Sequence, residues 1–155
     1  MRLILWAACA ATVAGCGYSF GGLIEHEAVL LPIFDNLDER RTHEFDLTKA
    51  VARELMARGV RVNDPSAAVE LKVKILEITE PSVVEDPADR PLVGAVSFRI
   101  EATLLARPSA REMLKQVLEE SASFSSGRSE SRETARQEVI DRLARRVVTL
   151  LEKDW

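Results

Sequence analysis

Between Val69 and Ile75 apolar residues occupy every second position, with Glu70, Lys72 and Lys74 between them. That is the period of a strand with one buried and one wet face. The same period returns more clearly at Val96, Phe98, Ile100, Ala102 and Leu104, which alternate with Ser97, Arg99, Glu101 and Thr103. After Ile75 the alternation slips, Leu76 and then Ile78, which predicts a bulge or a strand end. Met113 to Phe124 reads as a return strand after a short turn at Arg107–Arg111, with Leu114, Leu118, Ala122 and Phe124 on one side. Its alternation is weaker, and its Met, Leu, Lys and Gln content keeps a helix open. Upstream, the compact run Ala28–Phe34 ended by Asp35-Asn36 predicts a buried strand and a turn. Pro32 has no N–H to donate, so the strand ends near it or has it at an edge.

Two segments carry the helical period instead. From Thr42 to Arg58, Thr48, Val51, Ala52, Leu55 and Met56 recur at threes and fours, with Thr42 as N-cap and Glu44 in the first turn. Gly59 supplies the C-cap, followed by the short extended Val60–Val62 and a turn at Asn63-Asp64-Pro65. From Arg132 to about Glu152, Val139, Leu143, Val147 and Leu151 form one stripe with Ile140, Ala144 and Val148 beside it. Ser131 is the N-cap, and Arg142, Arg145 and Arg146 fall on or near the opposite face. Pro81–Pro91 reads as a proline-rich acidic loop, and Ser125–Ser131 as a serine-rich connection. The predicted class is α+β: a four-stranded mixed sheet with two helices packed on one face, in the order strand-helix-strand-strand-strand-helix. The strands joined through the first helix run parallel if adjacent, and the later hairpin is antiparallel.

The beginning of the chain has another pattern. Met1-Arg2 precedes an apolar run from Leu3 to Val13 and then Val13-Ala14-Gly15-Cys16. A basic start, a short apolar stretch and small residues outline a secretory signal peptide. The run is shorter than the about 20 residues a spanning helix needs. The cysteine after Ala-Gly resembles the bacterial lipobox, which implies that Cys16 is lipid-modified and becomes the new N-terminus. The expected organisation is residues 1–15 as signal peptide, 16–22 as lipidated leader and 23–155 as a single domain. Cys9 then leaves with the signal and Cys16 carries lipid, so no thiol remains for a disulfide. Of 21 basic residues, Arg2 also leaves, so 20 face 25 acidic ones, a net of −5. That balance argues against nucleic acid as a partner.

Catalytic constellations are not found. His26 and His43 have no cysteine to join them and no i,i+4 histidine partner, and both read as surface residues. Asp35, Asp38 and Glu39 lack the glycine and closing Glu of a calcium loop. The serines from Ser121 to Ser131 sit in no Gly-x-Ser-x-Gly elbow, and Gly21-Gly22 is too short for a phosphate loop. The expectation is a protein that is not an enzyme, with no cofactor and no metal.

With Cys16-Gly17-Tyr18-Ser19-Phe20, Leu31-Pro32-Ile33-Phe34-Asp35-Asn36, the helix closing on Arg58-Gly59-Val60-Arg61-Val62 and the strand Val69–Ile75, the chain resembles the lipopolysaccharide-assembly lipoprotein family LptE. The resemblance implies lipid anchoring on the periplasmic side of the outer membrane. It also implies a place as plug inside the LptD β-barrel, helping that barrel to assemble and lipopolysaccharide to reach the outer leaflet. Direct lipopolysaccharide binding requires Arg or Lys for its phosphates, and Arg90, Arg107, Arg111 and Lys115 are the candidates. The alternative is a periplasm-facing lipoprotein activator or pilotin that binds a cell-wall enzyme or a secretin.

Overall fold

Strand β6 (Pro91–Ala106) organises the sheet because it is paired along both edges. In the computed structural model, which describes residues 24–38, 43–85, 87, 91–125, 128 and 130–152, β7 (Arg111–Ser125) runs antiparallel along one edge of β6, from Val93↔Ser125 to Ala106↔Arg111. The other edge takes β4 (Val69–Thr79), from Thr79↔Ser97 to Val69↔Ala106, and then β5 (Ser82–Glu85). Beyond β4 lie β1 (Ala28–Leu30) and β2 (Asp35–Asn36), both parallel to it, and β3 (Arg61–Val62) closes that side against β1.

The sheet therefore has seven hydrogen-bonded segments rather than the expected four. They lie in five ranks, since β1 and β2 share one edge of β4 and β4 and β5 share one edge of β6. The additional segments are short, and backbone pairing makes them without an apolar pattern. Asp35-Asn36, expected as a turn, pairs with Lys74 and Ile75, and the expected Pro81–Pro91 loop contains β5. The break between β1 and β2 falls at Leu31–Phe34, around Pro32, as a residue without a donor requires. The slip after Ile75 is a bulge between Ile75 and Glu77. There the Leu37 N–H donates to Ile75 O at 3.0 Å and the Ile78 N–H to Asp38 Oδ2 at 3.2 Å, so Asp38 serves the bulge.

Helices α1 (His43–Ala57) and α2 (Arg132–Thr149) lie side by side on one sheet face. They cover Val29, Leu71, Ile75, Phe98, Ile100 and Leu118, which are almost wholly excluded from solvent. Each such side chain contributes about 1.5–3 kcal/mol on burial. The buried face of α1 is Leu47, Ala50, Val51 and Leu55, rotated from the expected stripe. Met56 points outward at 58 % exposure. Thr48 lies on the flank, where its hydroxyl donates to Glu44 O at 2.6 Å and accepts the Phe34 N–H at 3.1 Å. A main-chain donor beside the helix, with no strand to take it, selects a hydroxyl there. Thr42 lies outside the described residues.

Gly59 closes α1 at φ +79°, with its N–H on Met56 O and the Val60 N–H on Leu55 O. The paired bonds and the buried Leu55 and Val60 make this a Schellman end. At α2 the Ser131 hydroxyl accepts the Thr134 N–H at 3.0 Å, the expected cap. Glu80, whose side chain is 8 % exposed between β4 and β5, meets Arg136 at 2.9 Å and Arg132 at 3.7 Å in the first turns of α2. Ile24 forms an isolated antiparallel bridge with Glu152, and Glu152 also pairs with Arg58. Both ends of the described domain thus meet at one place.

Candidate functional site

The helices leave the other sheet face uncovered, and strand alternation decides what it carries. Register aligns Asp35, Lys74, Glu101 and Val117 in one row, Lys72, Thr103 and Lys115 in a second, and Glu77, Arg99 and Glu119 in a third. The charges answer one another: Arg99 lies 2.8 Å from Glu77, Lys115 3.0 Å from Glu101 and Lys72 3.5 Å from Glu70. These pairs are solvent-facing, so each contributes about 0–1 kcal/mol. Their effect is to spread charge of both signs without a dominant field. Beyond Arg99 the face becomes neutral, with Thr79, Ser97 and Ser121 in one row and Ala95 opposite Ser123. The result is a mostly polar surface, charged in one half and hydroxyl-bearing in the other, with Val117 exposed in the charged half.

The β6–β7 hairpin brings three of the expected basic residues to one end of this face. Arg107 is turned to structural use, its Nη1 donating to Ala67 O at 3.1 Å and its backbone N–H to Ala68 O at 2.7 Å. Those bonds hold the hairpin to the turn before β4. Arg111 opens β7 opposite Ala106, exposed and without an ion pair among the described residues. Lys115 shares its charge with Glu101. Arg90 and Cys16 lie outside the described residues.

His43 is not a surface histidine. It is half-buried, and its ring meets Phe98 edge to face with centroids 5.7 Å apart. Among the described residues no group of His, Cys, Asp or Glu has the arrangement to hold a metal ion, and no helix is long and apolar enough to cross a membrane. The pattern reading missed the role of Arg142 and Arg146. Their side chains leave α2 sideways, Nη1 of Arg142 on Ser121 O at 3.1 Å and Nη1 of Arg146 on Glu119 O at 2.9 Å. Both acceptors are main-chain carbonyls on the outer edge of β7. Their i,i+4 spacing is the signal that one helix flank carries them.

With the fold and its polar face in place, a family model for lipopolysaccharide assembly, LptE, matches residues 27–151. This chain belongs to the LptE family. The match runs from just before β1 to just after α2 and so takes in the whole sheet and both helices. No curated protein matches the chain in sequence. Among solved structures, this chain is similar to a Xanthomonas campestris protein at TM-score 0.64 and 12 % identity, covering 84 % of this chain and 86 % of that one. It is also similar to PelC from Paraburkholderia phytofirmans, a dodecamer, at TM-score 0.62 and 14 % identity, covering 86 % and 93 %. Rare lipoprotein B from Shewanella oneidensis is similar at TM-score 0.52 and 15 % identity, covering 79 % and 92 %. At these identities the likeness is one of fold.

Proposed function

We propose that this protein is an outer-membrane lipoprotein held on the periplasmic side by lipid at Cys16, with residues 1–15 removed as signal peptide, residues 16–22 as the lipidated leader and residues 23–155 as one domain. It plugs the β-barrel of LptD, assists assembly of that barrel and supports transport of lipopolysaccharide to the outer leaflet. It acts by binding and not by catalysis. The observation that carries the reading is the family match across the whole described fold. The uncovered sheet face supports it, because a surface of balanced charges and hydroxyls suits the polar interior of an outer-membrane barrel. Several acyl chains on one cysteine hold a domain at a membrane where a single chain gives only reversible binding.

Lipopolysaccharide contact, on this reading, falls to Arg111 and Lys115 at the hairpin end, with Arg90 in the preceding loop. Arg107 holds the hairpin and contributes through it. The test is affinity purification of the lipidated protein from outer membranes with mass spectrometry of what accompanies it. A large β-barrel recovered in stoichiometric amount supports the plug. Recovery of the protein alone, or with a cell-wall enzyme or a secretin, overturns it.

A further inference from the structure

Strand β7 is an edge of the sheet, paired with β6 and with no other strand of the described residues. An edge presents unpaired N–H and C=O groups and invites another strand unless it is covered. Two carbonyls of this edge are covered. The carbonyls of Glu119 and Ser121 point away from β6, and Arg146 and Arg142 occupy them. By alternation, the residues whose main-chain groups point the same way earlier in the strand are Lys115 and Val117. No arginine of α2 reaches them among the described residues, and they form an open stretch between the guarded carbonyls and the bulge opposite Leu105. The open stretch also carries the strand's exposed large apolar side chains, Met113 at 46 % and Val117 at 52 %.

We infer that the free protein pairs with a second copy of itself along this open stretch, β7 against β7, antiparallel about a two-fold axis at Gln116. The register follows from which groups are free. With Gln116 opposite its own copy, Lys115 faces the partner's Val117 and Val117 the partner's Lys115. Their main-chain groups exchange about four hydrogen bonds, and the guarded carbonyls of Glu119 and Ser121 stay with their arginines. On the polar sheet face the two Val117 side chains become diagonal neighbours of each other and of the two Met113 side chains, so the exposed apolar groups cover one another. Lys115 comes diagonal to the partner's Glu119, an attractive placement, and to the partner's Lys115, a repulsive one that the Lys115–Glu101 pair at 3.0 Å offsets. At the ends Glu112 faces the partner's Glu120, whose charge Arg146 already answers at 2.5 Å. The open stretch is short and half apolar, and the carbonyls guarded by Arg142 and Arg146 stop it at one end.

The test is a disulfide trap in the full lipidated chain. Position 116 is a non-hydrogen-bonded pair on the axis, where opposing Cα atoms lie about 4.5 Å apart, within the reach of a disulfide. Mild oxidation of Gln116→Cys in membranes of cells lacking the barrel is expected to give a covalent dimer on a non-reducing gel, and light scattering of the protein purified from them in detergent is expected to show twice the mass of one chain. Val117→Pro removes an outward N–H while leaving every bond to β6, so it should lower trapping at least tenfold without lowering the thermal midpoint. Val117→Lys serves the same end should the proline disturb folding. A Gln116→Cys protein that stays monomeric, or one that traps equally well with Val117→Pro and Val117→Lys, overturns the inference.

Discussion

Leu31 and Asn63, 32 residues apart, are joined by a 2.8 Å hydrogen bond in which the Leu31 N–H donates to Asn63 Oδ1. The same asparagine donates its own N–H to Val29 O at 2.9 Å and stands at φ +59°. It therefore extends the β1–β3 ladder by one rung made from a side chain, at a backbone angle that asparagine tolerates better than most residues. Asn63→Ala is expected to cost about 1–3 kcal/mol, from the lost bond and the strain together. Asn63→Gly, which relieves the angle and loses only the bond, is expected to cost less. Urea unfolding of the two variants checks the order, and equal losses count against this division.

Gly94 has no room for a side chain. A Cβ there meets Phe124 Cζ at 2.7 Å and the Pro81 carbonyl oxygen at 2.9 Å. The phenyl ring can move, but Pro81 O accepts the Ala95 N–H at 3.1 Å and is held in place. Gly94→Ala is expected to destabilise by about 1–3 kcal/mol through overpacking. A thermal midpoint unchanged from the parent protein refutes this.

Glu80 is a buried carboxylate between Arg132 and Arg136. Its removal leaves Arg136 with the exposed Glu133 as its remaining ion-pair partner, and Nε of Arg136 is already buried without a partner. Glu80→Ala is expected to cost about 3 kcal/mol, as loss of one member of a buried pair does. Pairing it with Arg136→Ala recovers part of the loss, and a double-mutant cycle measures how much.

Asp64 accepts bonds from the Ser66 hydroxyl at 2.6 Å and the Ser66 N–H at 2.8 Å. These bonds, the hydroxyl first, favour the ionised form and hold the carboxyl below its ordinary value of 3.8, with the charge of Arg61 adding to the effect. A group whose folded pKa is depressed stabilises fully above the unfolded value, and that stabilisation fades as pH falls through the folded one. The gap in thermal midpoint between the parent and Asp64→Ala is therefore expected to hold at neutral pH and to close below pH 3.8. A gap that persists in stronger acid shows that the charge was not its source.

Cys16→Ser tests the anchor. Without acyl chains the protein is expected to leave the membrane fraction and to appear soluble in the periplasm, by fractionation and immunoblot. Continued membrane residence of the unacylated protein in cells lacking the barrel overturns lipidation as the anchor.

Much of this fold was legible where burial dictates the pattern. Strands β4 and β6, the bulge after Ile75, the stripe of α2, its Ser131 cap and the Gly59 close were all readable, because each is fixed by a period or by one residue's backbone freedom. What escaped the pattern is held by main-chain bonding. β2 and β5 pair through amides whatever their side chains, and Thr48 entered the α1 stripe because a hydroxyl and a methyl have the same period. Met113–Phe124 left strand and helix open, and β6 decided between them by supplying a partner along its whole length. The polar face itself was readable as alternation. Its cross-strand pairing needed the register, and so did the unequal guarding of the β7 edge.

The bridge between Ile24 and Glu152 orients the molecule. Ile24 lies eight positions after Cys16, a span of at most about 29 Å when fully extended. β1 runs parallel to β4, and the start of β4 lies opposite the end of β6, so the Ile24 end of the sheet is also the hairpin end. With lipid at Cys16, Arg107 and Arg111 then belong to the pole of the sheet on the tether's side. The serine-bearing end of β7 lies at the opposite pole.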